Sequence, residues 1–217
     1  MIRVVLVDDD ALVRAGLAMI LGADSEIEVV GQAGSATEGA ELVQESTPDV
    51  VVMDVRMPGM DGISATRMVQ EMDDPPNVLI LTTFHQDDYV LGALEAGASG
   101  FLLKDTPPRE LIEAVKTTAS GGAVLSPEDA RTLATSYAAL GGTRRSHEAR
   151  EKLAPLSPRE LDVAQAVARG LSNAQIASLL DCTEATVKAS LTRVFEKLGV
   201  GGRVGVALLV HDAALPQ

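Results

Sequence analysis

Four short apolar runs in the first half of the chain lead directly into polar residues suited to phosphoryl chemistry. Runs such as Val4-Val5-Leu6-Val7 have the length and β-branching of strands buried on both faces, as in a parallel sheet. The polar residues at their ends are Asp8 and Asp9, Asp54, Thr82, and Lys104. Because the carboxyl ends of parallel strands form the ligand crevice of an α/β sheet, we expect these side chains to converge on one site.

Strand-like and helix-like segments alternate regularly through the first 121 residues. Strands are expected near 2–7, 27–31, 49–54, 78–82 and 99–104, and helices near 10–22, 35–46, 62–73, 87–96 and 107–120. Strands that alternate with helices pair in parallel through right-handed crossovers. The pattern therefore predicts an α/β (βα)5 domain, a doubly wound parallel sheet, over residues 1–121.

The second part of the chain has a different pattern. Residues 122–152 are interpreted as a linker that is partly helical, with one helix running from Ser126 through Tyr137 and a solvated charged end at 144–152. From 153 onward, two capping boxes and a capping threonine predict closely spaced helices, with a fourth helix over 203–211. The caps are Ser157 with Glu160, Ser172 with Gln175, and Thr183. Residues 153–217 are thus predicted to form a small all-α, four-helix domain that contains a helix-turn-helix.

Composition narrows the classes of function. The net charge of −13 divides unevenly: residues 1–150 hold 11 basic and 24 acidic side chains, and residues 151–217 hold seven of each. The acidic part should weaken nonspecific attraction to DNA, so dimerisation would help binding. With three Phe, two Tyr and no Trp, stacking on single-stranded nucleic acid and a large apolar ligand pocket are disfavoured. A single cysteine and no apolar stretch of membrane-spanning length indicate a cytoplasmic protein with no membrane partner.

Motifs in both parts resemble known families. Residues 1–121 resemble a response-regulator receiver domain, through Val7-Asp8-Asp9, the Met53–Gly62 loop, Leu81-Thr82-Thr83 and Gly100–Lys104. The second part resembles a LuxR-type helix-turn-helix, through Leu156–Glu160, Gly170–Asn173, Ile176-Ala177, Thr186-Val187-Lys188 and Glu196–Val200. Together they resemble two-component response regulators of the NarL/FixJ class.

The resemblance implies a phosphorylation site at the converging strand ends. Asp54 would be the phosphoacceptor. Asp9 and Asp54 would hold Mg²⁺ directly, Asp8 would hold it through a water, and the backbone carbonyl of Arg56 would supply another oxygen, since magnesium prefers oxygen ligands and retains waters.

The same resemblance implies a conformational switch. Lys104 and Thr82 would each contact a phosphoryl oxygen, and Phe101 would turn inward as Thr82 moves toward the phosphoryl group. Gly62 and Gly97 are interpreted as turn or helix-end residues without a chemical role.

For the second domain, the resemblance places the third helix, about 184–198, in the major groove of DNA. The residues expected to face bases or backbone are Lys188, Ala189, Thr192 and Arg193, with Asn173 and Arg203 as further phosphate contacts. Ser190 stands where the family commonly has a histidine. The fourth helix would either form a dimer interface or fill its own small core.

The implied function is a conditional transcription regulator. A sensor histidine kinase would be the phosphoryl donor, promoter DNA the target, and a homodimer the phosphorylated form. Beyond its own phosphorylation and slow dephosphorylation, no enzymatic activity is expected.

Three alternatives stay open at this point. Residues 7–12 also resemble the opening of haloacid-dehalogenase-type phosphatases, with Asp8 as nucleophile and Asp10 as general acid/base. Against this reading, no matching acidic pair follows Lys104 and no cap domain is evident. A LuxR-type receptor for a small signal molecule would share only the second domain and would need an aromatic-lined pocket. The chain could also be a regulator that works without phosphorylation.

Overall fold

A parallel β-sheet forms the centre of the N-terminal domain in the computed structural model, which describes residues 1–83, 87–126 and 142–214. The strands are β1 (Ile2–Val7), β2 (Ile27–Ala33), β3 (Val50–Met53), β4 (Asn77–Thr82), β5 (Gly100–Leu103) and β6 (Val124–Leu125). Their order is β2-β1-β3-β4-β5-β6, and every neighbouring pair is parallel. The predicted doubly wound sheet is confirmed. The edge strand β6 is an addition, because two residues are too few to produce a periodic signal.

Helices cover both faces of this sheet. They are α1 (Ala11–Gly22), α2 (Ala36–Ser46), α3 (Gly62–Gln70), α4 (Asp87–Glu95) and α5 (Pro108–Ala119). Alternate residues of each strand point to opposite faces. Val5 and Val51 accordingly pack in a core cluster with α2, α3 and α4, whereas Val4 and Val50 pack in a second cluster with α1 and α5. With both faces buried, only the strand ends are left to carry polar chemistry.

The C-terminal helices are α6 (Gly142–Leu153), α7 (Pro158–Ala168), α8 (Asn173–Leu179), α9 (Glu184–Leu198) and α10 (Arg203–Ala214). The predicted capping boxes at Ser157 and Ser172 are confirmed, and Thr183 caps α9. Helices α7 to α10 surround one apolar core, which includes Val163, Ile176 and Val194. The predicted four-helix arrangement is therefore present, and α9 is the helix expected to read DNA.

The segment interpreted as a linker is more ordered at its end than the sequence indicated. The helix expected from Ser126 through Tyr137 lies largely outside the described residues. Helix α6 packs along α10, with Ser146 and Ala149 fully or almost fully buried. Arg150 Nε also donates a hydrogen bond to the carbonyl of Ala213 at 2.9 Å. The charged stretch is thus solvated on one face only. The predicted domain boundary at 152/153 stays a prediction.

The lengths and hydropathy of the helices bear on membrane insertion. Across the described ranges, none of the helices combines the length and apolar character needed to cross a bilayer.

Two buried threonines give a matched test of packing in the N-terminal domain. Thr118 in α5 is fully buried, and its Oγ1 has no hydrogen-bond partner within the described residues. Thr66 in α3 is also fully buried, but its Oγ1 donates to the carbonyl of Gly62 at 2.7 Å. Thr118→Val should raise the free energy of unfolding by about 1 kcal/mol, and Thr66→Val should lower it by about 1 kcal/mol. Urea unfolding of both variants checks the opposite signs; a loss of stability in Thr118→Val would contradict the assignment.

Candidate functional site

A lysine and two aspartates meet at the carboxyl edge of the sheet. Lys104 Nζ lies 2.6 Å from Asp8 Oδ2 and 3.0 Å from Asp54 Oδ2. The two aspartates are buried, with 2% and 5% of their surface exposed. The backbone holds them together, since Val7 pairs with Met53 in the sheet and each aspartate follows its strand directly. The structure therefore brings Asp8, Asp54 and Lys104 together, as expected from the strand ends.

Burial and charge act in opposite directions on these groups. Burial raises the pKa of the Asp54 carboxyl above its ordinary value, although the Lys104 ammonium offsets part of the effect. Burial by itself lowers the pKa of Lys104, but hydrogen bonds to Asp8 and Asp54 outweigh it, so that the pKa of this ammonium is raised. Lys104 therefore stays charged and is the group that compensates the two buried carboxylates.

A third carboxylate completes an acidic cluster. Oxygens of Asp8, Asp9 and Asp54 all lie within 4.8 Å of one another, and Asp9 is exposed. A cleft of about 410 Å³ opens beside Asp9 and is also lined by Arg56. Clustered carboxylate oxygens are the donors that hard divalent cations prefer. The cluster is thus suited to a divalent cation that is reached from solvent.

Asp10 has a different task from its neighbours. Its Oδ1 accepts hydrogen bonds from the backbone of Leu12 at 2.8 Å and of Val13 at 3.3 Å, which makes Asp10 the N-cap of α1. This role disfavours the phosphatase alternative, in which Asp10 would be the general acid/base.

Thr82 and Phe101 lie on the two strands beside the cluster. Thr82 ends β4 and is fully buried, and its carbonyl accepts a hydrogen bond from the backbone of Lys104 at 2.8 Å. Phe101 is already fully buried, in the core cluster that also contains Val90 and Val204. Val204 belongs to α10, so this cluster joins the two domains. The inward turn of Phe101 on phosphorylation stays a prediction, and the conformation described here has the ring inside.

Gly62 has a role at the site that its interpretation as a turn residue missed. A Cβ on Gly62 would lie 1.9 Å from the carbonyl oxygen of Asp54. Only glycine lets α3 begin this close to Asp54. A glycine at the first position of a helix is a weak signal, because a close approach of another backbone segment cannot be inferred from sequence.

Four of the expected DNA contacts share the exposed side of α9. They are Lys188, Ala189, Thr192 and Arg193. Ser190, which replaces the usual histidine, is buried, and its hydroxyl accepts a hydrogen bond from Arg193 at 3.3 Å. The residue at 190 therefore faces away from the exposed side and positions a neighbouring guanidinium.

Asn173 and Arg203 are separate from that exposed group. Both are buried, and the Arg203 guanidinium donates hydrogen bonds to the carbonyl of Leu171 at 2.6 Å and to Asn173 Oδ1 at 3.5 Å. Burial lowers the pKa of Arg203 to about 10. The backbone amide of Asn173 donates to the carbonyl of Ser120, at the end of the N-terminal domain, at 3.0 Å. These two side chains thus lie at the domain junction, and their DNA contacts stay a prediction.

The N-terminal domain faces part of α9 across a cavity of about 800 Å³. Lys188 and Thr192 line it from α9, and its other wall includes acidic residues from two loops of the sheet domain. These acidic residues are Asp49, Glu71, Asp73 and Asp74. A DNA duplex placed along this side of α9 would therefore meet the acidic wall, which repels phosphates.

An ion pair fixes α9 against α7. Lys197 Nζ lies 2.6 Å from Glu160 Oε2, which also accepts the Ser157 backbone amide at 2.8 Å. The contact with Lys197 and the two hydrogen bonds with Ser157 lower the pKa of Glu160 to about 2. The orientation of α9 thus depends in part on one carboxylate.

Comparisons with known families agree with both halves of this description. Residues 4–116 match the response regulator receiver domain, and residues 154–210 match the bacterial regulatory proteins of the luxR family. The chain belongs to the response regulators that join a receiver domain to a LuxR-type helix-turn-helix, a family of phosphorylation-dependent, DNA-binding transcription regulators.

Individual relatives extend over nearly the whole chain. The DNA-binding transcriptional activator DevR/DosR of Mycobacterium tuberculosis is 39% identical and covers 98% of this chain and 95% of its own. The transcriptional regulatory protein LiaR of Bacillus subtilis is 38% identical, with 97% of each chain covered. Among solved structures, the response regulator ChrA of a heme-sensing two-component system is 39% identical, covers 97% of this chain and 96% of its own, and has a TM-score of 0.53.

The Glu160 ion pair predicts a pH dependence of stability. The folded carboxyl has a pKa of about 2, below its ordinary value of 4.5, so its stabilising effect is full above about pH 4.5 and is lost as the pH falls toward 2. Glu160→Gln should remove this part of the acid-induced fall in the free energy of unfolding of the C-terminal helices. Glu196→Gln, at an exposed position of α9, is the control and should retain it. Urea unfolding at about pH 5 and about pH 3 makes the comparison; equal pH dependence in the two variants would count against the ion pair.

Proposed function

We propose that this chain is a two-component response regulator in which Asp54 accepts a phosphoryl group from a sensor histidine kinase and the phosphorylated form binds promoter DNA as a dimer. One observation supports this assignment most directly: the Lys104 ammonium contacts both Asp8 and Asp54 at the buried edge of the sheet. A cation held between two carboxylates is placed to receive a further anionic group. The acidic cluster of Asp8, Asp9 and Asp54 supports the same proposal.

The proposed chemistry uses Asp54 as a nucleophile. A carboxylate oxygen of Asp54 attacks phosphorus and forms an acyl phosphate, while the imidazole of the kinase leaves with the electrons of the broken P–N bond. Lys104 then pairs with one phosphoryl oxygen, and the Thr82 hydroxyl donates to another. Water later attacks the same phosphorus and regenerates the carboxylate. Phosphorylation and slow dephosphorylation of its own Asp54 are the only reactions that we assign to the chain.

The residues present fit a divalent cation. One ammonium cannot offset three carboxylates together with an incoming phosphoryl group, so further positive charge is needed. Asp9 and Asp54 would hold Mg²⁺ directly, Asp8 would hold it through a water, and the Arg56 carbonyl would add an oxygen. The bound ion would offset the negative charge that builds up between Asp54 and the phosphoryl oxygens.

The proposed output is a change in how the two domains are arranged. In the structure, Lys188 and Thr192 face the acidic wall of the cavity, and Val204 of α10 packs in the same cluster as Phe101. Contacts with the phosphoryl group would favour conformations of Thr82 and Phe101 that loosen this arrangement, which is a population shift. The freed domains would dimerise and place two α9 helices on adjacent half-sites, in the cytoplasm where the chromosome lies.

Intact mass after incubation with Mg²⁺ and acetyl phosphate tests the proposed acceptor. The wild type should gain one phosphoryl group, and Asp54→Asn should gain none, because the nucleophilic oxygen is lost. The phosphorylated wild type should also bind promoter-containing DNA at least about tenfold more tightly than the unphosphorylated protein. Phosphate release that survives Asp54→Asn but not Asp8→Asn would instead indicate the phosphatase. Equal DNA affinity with and without phosphorylation would contradict the proposed control.

Mg²⁺ should stabilise the N-terminal domain through the acidic cluster. At ten times its dissociation constant, a ligand that binds only the folded state adds about 1.4 kcal/mol to the free energy of unfolding. Asp9→Asn should abolish this increase, since it removes a direct ligand. Asp10→Asn is the matched control, because asparagine caps a helix as well as aspartate does and Asp10 serves as the cap. Urea unfolding with and without Mg²⁺ makes the measurement; an equal response of both variants to Mg²⁺ would remove Asp9 from the site.

A further inference from the structure

Three glycines bring the backbones of the two domains into direct contact. The turn between α4 and β5 contains Gly97, and the loop between α9 and α10 contains Gly201 and Gly202. A Cβ on Gly97 would lie 2.0 Å from the carbonyl oxygen of Gly201. A Cβ on Gly201 would lie 2.5 Å from the carbonyl oxygen of Glu95, and one on Gly202 would lie 2.9 Å from that of Gly97. The two segments therefore leave no room for even a methyl group between them.

The glycines on the two sides of this contact are needed for different reasons. Gly97 has a φ of +102°, so its own turn requires glycine. Gly201 and Gly202 are not among the residues with positive φ, so their own backbone would accept alanine. The nearest atoms to a Cβ at either position all belong to the backbone of Glu95, Ala96 and Gly97. At both positions the docked receiver domain is thus the nearest obstacle to a side chain.

The contact lies between the proposed switch and the reading helix. Gly97 precedes β5, which carries Phe101, and Gly202 precedes α10, which carries Val204. Phe101 and Val204 share one core cluster. On its other side the loop follows α9 directly, after the cap at Gly199. A change in the packing around Phe101 would therefore move β5 and α10, which are the elements next to Gly97 and Gly202.

We propose that Gly97, Gly201 and Gly202 form a backbone latch that holds α9 against the receiver domain in the unphosphorylated chain. This inference rests on the proposed function and identifies the contact that phosphorylation has to release. The latch acts through shape, because none of its members has a side chain or a charge. It is distinct from the acidic wall of the cavity, whose attraction for Lys188 would be screened by salt.

Gly201→Ala provides the test, since its methyl group would collide with the receiver domain, whose backbone supplies the three nearest atoms. The readout is the exchange rate of the Asn173 amide hydrogen in the unphosphorylated full-length protein, because that amide donates to the Ser120 carbonyl across the junction. Exchange should be at least about tenfold faster than in the wild type, and Gly202→Ala should give a smaller increase. Gly16→Ala is the control, as a Cβ there has nothing within 4 Å, and should leave the rate unchanged.

Binding of a random-sequence DNA duplex gives a second readout. Unphosphorylated Gly201→Ala should bind it at least about tenfold more tightly than the unphosphorylated wild type, and the difference should persist with Asp54→Asn in the same chain. A failure of the wild type to respond to phosphorylation would overturn the proposed function, whereas these unphosphorylated comparisons judge the latch alone. An exchange rate of the Asn173 amide in Gly201→Ala that equals the wild-type rate would overturn the latch. If Gly201→Ala does not fold, the same rate is measured in Gly202→Ala, and a rate equal to that of the wild type would overturn the latch there too.

Discussion

The parallel register of the central strands is the constraint on which the rest of the structure depends. Val7 pairs with Met53, and Met53 pairs with Ile80, so that Asp8 and Asp54 leave neighbouring strands at the same level. Because both faces of the sheet are buried under helices, this edge is where charged groups can gather with access to solvent. The Lys104 ammonium stabilises this cluster, since two buried carboxylates without a nearby cation would repel each other. A slip of one residue in any of these strands would dismantle the site.

Most of the receiver site was predictable from the sequence because its parts follow strands that the apolar pattern locates. Asp54 and Lys104 needed only the rule that parallel strands end together. The exposed side of α9 was predictable for the same kind of reason, since helical spacing decides which residues face outward. The positions of Asn173 and Arg203 were not predictable, because both residues lie at the junction with the neighbouring domain. No local sequence pattern indicates which surfaces of the two domains contact each other.

The contacts between domains show why glycine is so hard to interpret from sequence. Gly62 and Gly97 were interpreted as turn or helix-end residues, yet each lies where another backbone segment comes too close for a side chain. A tight turn and a close approach of two backbone segments both require glycine, and only the structure distinguishes these two causes. The buried Ser190 is a comparable case. A serine where the family commonly has histidine suggests a change in DNA recognition. In the fold, however, the Ser190 hydroxyl accepts a hydrogen bond from Arg193 and orients its guanidinium.

The buried guanidinium of Arg203 limits how firmly the two domains can hold each other. Its hydrogen bonds reach a carbonyl and an amide oxygen among the described residues, and burial lowers the pKa of this guanidinium to about 10. A group in this state favours any rearrangement that returns it to water or brings it to an anion. The docked arrangement is therefore weaker than its close packing alone indicates. A regulator that one phosphoryl group switches must have two arrangements of similar free energy, and one buried charge helps to keep them similar.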